Sequence, residues 1–367
     1  MAPVSSPALF ATTYEKARAG FRREVSAAGG ALESLVVDPR GAPDGSDLTI
    51  DVGIVEGPPL TANTCPTLLL TSGLHGVEGF AGSALQRLAL TRELPPGLRL
   101  VMLHALNPFG MAHGRRVNGN NVDLNRNFLP AGEPHFQPAE AYEPFNDLLN
   151  PPSPRPSLGG LDLFLPRAAA AIVRHGMPTL KQSIVGGQYQ FPRGIFFGGE
   201  RREREVELIE EALPRLCPGS GPLIHLDFHT GLGRSGSHAL LLDAGADSRR
   251  LAAARTAWGP AVQPWDAGDS VAYQIRGGFP GAVARLFGER ATSLTMEFGT
   301  FPPIRVLAGL RRENRNTQWG APARELAASR RALVRLFNPP RARWRAAVLA
   351  GGEAVLARAF DLAGTEA

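Results

Sequence analysis

Four stretches of this chain hold the residue types that metal-assisted hydrolysis requires. His75-Gly-Val-Glu78 comes first. An Asn/Arg-rich stretch follows, made of Asn107-Pro-Phe-Gly110, Arg116-Val-Asn118 and Asn121-Val-Asp-Leu-Asn-Arg-Asn-Phe128. Asp227-Phe-His-Thr230 and Glu297-Phe-Gly-Thr300 complete the set. A zinc ion that does chemistry takes three protein ligands and keeps one position open for water, and two His with one Glu is a known set. Three residues apart, His75 and Glu78 can converge on one ion. The spacing alone proves little: 8 His and 34 acidic residues among 367 give about 0.7 chance occurrences of His-x-x-acid.

The third ligand has to come from elsewhere. His225, Asp227 and His229 alternate with Leu226 and Phe228, so they share one face of a strand. Polar groups on a buried strand need partners, because leaving them unpaired is costly. His229 is taken as the ligand ahead of His225, since α/β sheets place their sites at the C-terminal ends of strands. Asp227 is suited to orienting a ligand imidazole. In the Asn/Arg-rich stretch, Asp123, Asn125 and Asn127 alternate with Leu124, Arg126 and Phe128. Asn and Arg are the pair to expect where a carboxylate is gripped, because guanidinium donates two parallel hydrogen bonds and the amide adds a third. Arg116, beside Arg115, has the charge to stabilise an oxyanion. Glu297 closes an apolar run; in a zinc hydrolase a carboxylate there is the base for water and then the acid for the leaving amine, its pKa raised by low-dielectric surroundings. Each piece also has a plain reading: a loop histidine, a hydrogen-bonded structural histidine, an Asn-rich turn with solvated arginines, a surface glutamate before a Gly turn. Gly231-Leu-Gly-Arg-Ser-Gly236 satisfies a dinucleotide-binding pattern, but a strand-like run, Ser237–Leu242, follows where that motif needs a helix.

The elements that must position these residues follow from periodicity. Thr13–Ala28 reads as a helix ended by Gly29-Gly30. Leu32–Val37 and Leu48–Val55 read as an edge hairpin, Thr67–Thr71 and Leu98–Leu106 as buried strands, and Glu78–Leu90 between them as a helix. Further on, Glu203–Leu213 reads as a helix stopped by Pro214 and Leu251–Trp258 as another, with strands at Pro222–Phe228, His238–Leu242 and Thr292–Phe298. Strand–helix–strand alternation predicts an α/β sheet with helices on its faces. The chain is read as a single catalytic domain over residues 1–367, interrupted by an irregular insertion at about 129–199 that walls the active site, and extended by helices at about 303–367.

Bulk properties narrow the field. The net charge is +5, and the basic residues are nearly all Arg, with Lys only at positions 16 and 181. The arginines are scattered with no basic run among aromatics, which argues against nucleic acid as a partner. Cys65 and Cys217 lie far apart with no CxxC, a pattern of reducing compartments. The first residues show no leader pattern, and no apolar run reaches the length of a membrane span. A cytoplasmic protein acting on small molecules is expected.

Together, and in this order, the motifs resemble the M14 metallocarboxypeptidases, in particular the bacterial DUF2817 branch, which is related to succinylglutamate desuccinylase and aspartoacylase-like deacylases. The matched segments run from about Thr71 to Pro303, with Gly187-Gln-Tyr189 and Gly194–Gly199 also similar. The resemblance implies a mixed, mostly parallel sheet of about eight strands with helices on both faces. It implies one Zn2+ per chain held by His75, Glu78 and His229, with Asp123 behind His75. It further implies that Arg116 polarises the scissile carbonyl, that Asn125 and Arg126 bind the substrate carboxylate, and that Glu297 is the catalytic carboxylate. The expected activity is hydrolysis of an amide bond next to a free carboxylate in a small peptide. An N-acyl amino acid or other small amide is the alternative substrate, and a non-catalytic metal-binding protein is a further one. Secreted carboxypeptidases clamp substrate with a tyrosine on a late loop; of the four tyrosines here, only Tyr273 falls in that region.

Overall fold

The computed structural model describes residues 7–60, 65–153, 163–242, 247–264 and 275–365. The first six residues, part of the Pro151–Pro156 run and Tyr273 lie outside this set. Among the described residues eight strands form one sheet: β1 Ala31–Asp38, β2 Leu48–Glu56, β3 Thr67–Ser72, β4 Arg99–His104, β5 Leu223–Gly231, β6 His238–Leu242, β7 Val262–Pro264 and β8 Ala291–Gly299. Their order across the sheet is β1-β2-β4-β3-β5-β8-β6-β7. The four pairings β3–β4, β3–β5, β5–β8 and β6–β7 are parallel, and the three others are antiparallel. This is the mixed, mostly parallel sheet expected. Among the described residues twelve α-helices surround it: α1 Tyr14–Ala27, α2 Gly79–Ala89, α3 Pro108–His113, α4 Asn146–Leu149, α5 Phe164–His175, α6 Met177–Val185, α7 Arg204–Leu216, α8 Ser248–Trp258, α9 Phe279–Phe287, α10 Pro303–Gln318, α11 Ala323–Phe337 and α12 Ala342–Thr365.

Strand alternation divides the core into two layers. Leu68 and Leu70 of β3, and Ile224, Leu226 and Phe228 of β5, pack with α1, α2 and α12 on one face. Leu69 and Leu223 face the other way, into a cluster with α7 and α9. Residues 223, 225, 227 and 229 therefore share the α9 face, and the His225 ring meets Phe279 at 5.2 Å. α2 sits close on the sheet because Gly82 has no side chain: a Cβ there would lie 2.5 Å from Ser72 Cβ and 3.0 Å from Phe228 Cβ. Gln86, fully buried, ties the helix down by donating to the Leu70 and Leu103 carbonyls.

The structure departs from the sequence reading in three places. The stretch at 129–199 is not irregular throughout: α4, α5 and α6 lie within it. Their shortness, and the Pro and Gly residues around them, hide the helical period. α7 passes Pro214 and ends at Leu216; a proline so near the C-terminus forfeits one N–H bond and kinks little that remains. β7 and α9 were not anticipated, the first being only three residues long and the second opening on Gly278-Phe-Pro280.

A buried ion pair pins the helical C-terminal part to the Asn/Arg-rich segment. Arg115 Nε donates to Glu313 of α10 at 2.8 Å, and its Nη2 donates to Asn121. Both charged groups are at most 3% exposed. Removing one partner strands the other charge in the interior. Glu313→Ala is expected to lower stability by about 3–5 kcal/mol in denaturant titration; a loss below about 1 kcal/mol would show that this pair does not hold α10 in place.

Candidate active site

The C-terminal ends of β3, β5 and β8 converge at one point of the sheet. His75 and Glu78 follow β3, His229 is on β5, and Glu297 is its register partner on β8. His75, Glu78 and His229 offer ligand atoms that lie within 4.8 Å of one another. His75 Nδ1 is 3.1 Å from Glu78 Oε1 and 3.2 Å from His229 Nδ1, and His229 Nδ1 is 3.1 Å from Glu78 Oε2. A tetrahedral zinc with ordinary His and carboxylate bonds spaces its ligand atoms by about 3.3 Å. Each imidazole Nδ1 lies near that spacing from the other and from its nearer Glu78 oxygen, His75 from Oε1 and His229 from Oε2.

The far nitrogen of each imidazole is held by a carboxylate. His229 Nε2 donates to Asp227 Oδ2 at 2.7 Å, and His75 Nε2 is 3.2 Å from Asp123 Oδ1. Such partners turn the Nδ1 lone pairs toward an ion and raise their basicity. Behind Asp227 the polar row continues. Thr71 Oγ1 donates to Asp227 Oδ1 at 2.7 Å and lies 2.9 Å from His225 Nε2, while His225 Nδ1 is 2.7 Å from Ser293 Oγ. The Thr71 hydroxyl has one proton and gives it to Asp227, so it accepts from His225 Nε2–H, and His225 Nδ1 accepts from Ser293. Burial keeps His225 neutral, pushing it down to about 4. The alternating polar row of β5 thus divides its work: His229 joins the trio, Asp227 aims it, and His225 braces Asp227 through Thr71.

Charge favours a cation here. Glu78, Asp123, Asp227 and Glu297 are buried around the trio, with the buried guanidiniums of Arg116 and Arg126 against them. Burial alone would push His229 down, but Asp227 and Glu78 hold it well above its ordinary value. Glu78 and Asp123 stay low despite burial, the first because of His75 and the second because of Arg116. Glu297 is pushed up to about 8, by burial first and then by the Glu78 carboxylate. Four carboxyl groups against two guanidiniums leave room for a divalent ion, which would take the place of the proton on His229.

The remaining expected residues separate into two groups. Arg116 and Asn125 line the same cavity as the trio and Glu297. Arg116 bonds Asp123, and its Nη2 lies 2.8 Å from His75 Nε2. That nitrogen cannot both accept from Arg116 and donate to Asp123, so a cation at His75 Nδ1 requires the Asp123 partnership and displaces Arg116 from this contact. Glu297 Oε1 accepts the Leu232 N–H at 2.8 Å. Arg126 is fully buried behind the wall, and its guanidinium donates to the backbone carbonyls of Asn125 and Val185. Gly187 makes space for it: a Cβ there would sit 2.6 Å from Arg126 Cδ. Asn127 similarly donates to Gly198 and Arg201 carbonyls, and Asn121 to those of Pro192 and Gly194. Much of the Asn/Arg motif thus staples the 185–201 segment in place, and its arginines are buried, not solvated. Sequence reasoning missed Thr71 and Ser293, whose signal was a polar residue on an apolar run; only strand register shows that they face Asp227 and His225.

The polar row predicts a graded response. Asp227→Ala is expected to weaken zinc binding by about 10- to 100-fold, measured by competition with a chelator. Ser293→Ala, which touches only the far end of the row, is expected to change it far less. Equal effects would refute the division of roles.

No curated protein matches the chain. Several solved structures are similar to it at low identity. A metallopeptidase candidate from Shewanella amazonensis is 16% identical, covering 89% of this chain and 93% of its own, with a TM-score of 0.44. Murein-tripeptide amidase MpaA from Escherichia coli O157 is 17% identical over 78% of this chain and 92% of its own, with a TM-score of 0.37. An aspartoacylase family protein from Mesorhizobium loti is 14% identical over 78% and 67%, with a TM-score of 0.38. A family profile matches residues 10–351, nearly the full length, and the chain therefore belongs to the family described as protein of unknown function DUF2817.

Proposed function

We propose that this protein is a zinc-dependent hydrolase of amide bonds in small molecules, with His75, Glu78 and His229 as the zinc ligands. The observation that carries the reading is the trio itself: two Nδ1 atoms and a carboxylate at 3.1–3.2 Å spacing, each imidazole braced by its own Asp. When bound, zinc would lower the pKa of a water molecule to about 7 and polarise the substrate carbonyl.

The chain's own groups supply the rest. Leu232 N–H occupies Oε1 of Glu297, which leaves Oε2 to take the proton from water. The C–O bond forms, the C–N bond breaks, and Glu297 delivers that proton to the departing nitrogen, giving a carboxylic acid and an amine, which exchange one further proton to become carboxylate and ammonium. Its raised affinity for a proton suits the acid half of this role; a cation held by His75, Glu78 and His229 would offset the Glu78 charge that contributes to the shift and make Glu297 a readier base. Arg116, once displaced from His75, is placed to stabilise the oxyanion from the cavity wall.

The Arg126 geometry argues against this residue as the binder of a substrate carboxylate, whether that carboxylate ends a peptide or an N-acyl amino acid. A carboxypeptidase reading gives Arg126 to the substrate carboxylate, yet its guanidinium donates to backbone carbonyls behind the wall. Asn125 does line the cavity, although its Oδ1 accepts the Phe279 N–H at 2.9 Å.

Elemental mass spectrometry of the purified protein is expected to find about one zinc per chain. Glu297→Gln should keep the metal and lose turnover by about 10²- to 10⁴-fold, whereas His229→Ala should lose the metal. A wild-type protein that neither carries zinc nor takes it up on addition would overturn the proposal.

A further inference from the structure

The cavity at the trio extends well beyond the reacting groups. Its volume is about 490 Å3, within the range of sites that enclose a whole drug-sized ligand. Beyond His75, Glu78, Arg116, Asn125, His229 and Glu297, its wall is built mainly of apolar side chains from separate elements. Leu148 of α4, Phe164 and Ile172 of α5, Ile184 of α6, Leu307 of α10 and Phe337 of α11 all contribute. Among the described residues, Lys181 brings the one charged side chain to that part of the wall.

We propose that this chamber binds the acyl group of the substrate, and that the enzyme is selective for N-acyl amino acids carrying a long apolar acyl chain. The inference rests on the hydrolase reading above and deepens it. A peptide continuing into the chamber would bring an N–H and a C=O with every residue, and each is costly to bury without a partner. An alkyl chain brings none, and every methylene gains from leaving water. The size of the chamber points the same way, because a short acyl group such as acetyl would leave most of it unfilled. The apolar walls come mainly from residues 129–199 and from α10 and α11, while among the described residues the sheet contributes only Thr230 and Gly231 of β5 beside the trio and Glu297. Specificity for the chain is therefore separate from the catalytic groups at the strand ends.

The test uses the zinc-loaded full chain with N-acetyl-, N-hexanoyl- and N-decanoyl-alanine. kcat/KM is expected to rise by about fourfold per added methylene until the chamber fills. Calorimetric binding of the same compounds to Glu297→Gln is expected to follow the same order. Ile184→Trp and Leu307→Trp, which fill the chamber from two different helices, should each flatten this chain-length response by at least about tenfold. Turnover that is equal for all three compounds, or fastest for N-acetyl-alanine, would overturn the acyl-chain inference and leave the hydrolase reading standing. Tighter binding of the decanoyl compound with no turnover of any would do the opposite: the chamber would stand and the hydrolase reading would fall.

Discussion

The site depends on how four buried carboxyl groups are compensated. Glu78, Asp123, Asp227 and Glu297 crowd the ends of three strands, where their mutual repulsion and loss of hydration would be prohibitive without cations. Arg116 and Arg126 answer part of that demand, and His229 answers more by holding a proton between Asp227 and Glu78. A divalent ion coordinated by His75, Glu78 and His229 would replace the proton with a larger and fixed charge. The same arrangement explains why the carboxylates differ. Asp123 and Asp227 sit against cationic or donor groups and stay ionised, while Glu297, beside Glu78, is drawn toward the protonated form.

That compensation works only on a rigid base. β3, β5 and β8 run parallel and end together, so residues from distant parts of the chain meet at fixed spacing. α2 presses on β3 and β5 through Gly82, which holds Glu78 at the helix entrance close to His229. The Thr71–His225–Ser293 row locks Asp227 from beneath. The chamber is built differently. Its walls are mainly helices added around the sheet; Arg126 bonds the Val185 carbonyl at the end of α6, and Asn121 and Asn127 bond the Gly194 and Gly198 carbonyls of the segment that follows. The ligand trio and the chamber are therefore held by separate parts of the molecule.

Much of this was legible in the residues alone. The strand runs at Thr67–Thr71, His238–Leu242 and Thr292–Phe298 lie within one residue of the observed elements at each end, because apolar runs bounded by Gly and turn residues leave little freedom. The polar row of β5 announced a site, since burial of His225, Asp227 and His229 required partners. The helices of the 129–199 stretch were not legible, because short segments broken by Gly and Pro carry too few turns to show a period.

The sequence by itself determined which groups could ligate, which strand face they shared and that helices would pack against a sheet, because those follow from residue type and from periods of 2 and 3.6. Only the tertiary structure decided what each group does. Arg126 was chemically suited to a carboxylate, yet the fold buries it against Val185 and Asn125 carbonyls; His225 was passed over in the sequence for its place in the strand, but only the register shows what it does there, opposite Ser293 and four residues before His229. Residue type limits the chemistry available, but which atoms meet is set by strand register and by packing across the layers, and neither has a local trace in the chain.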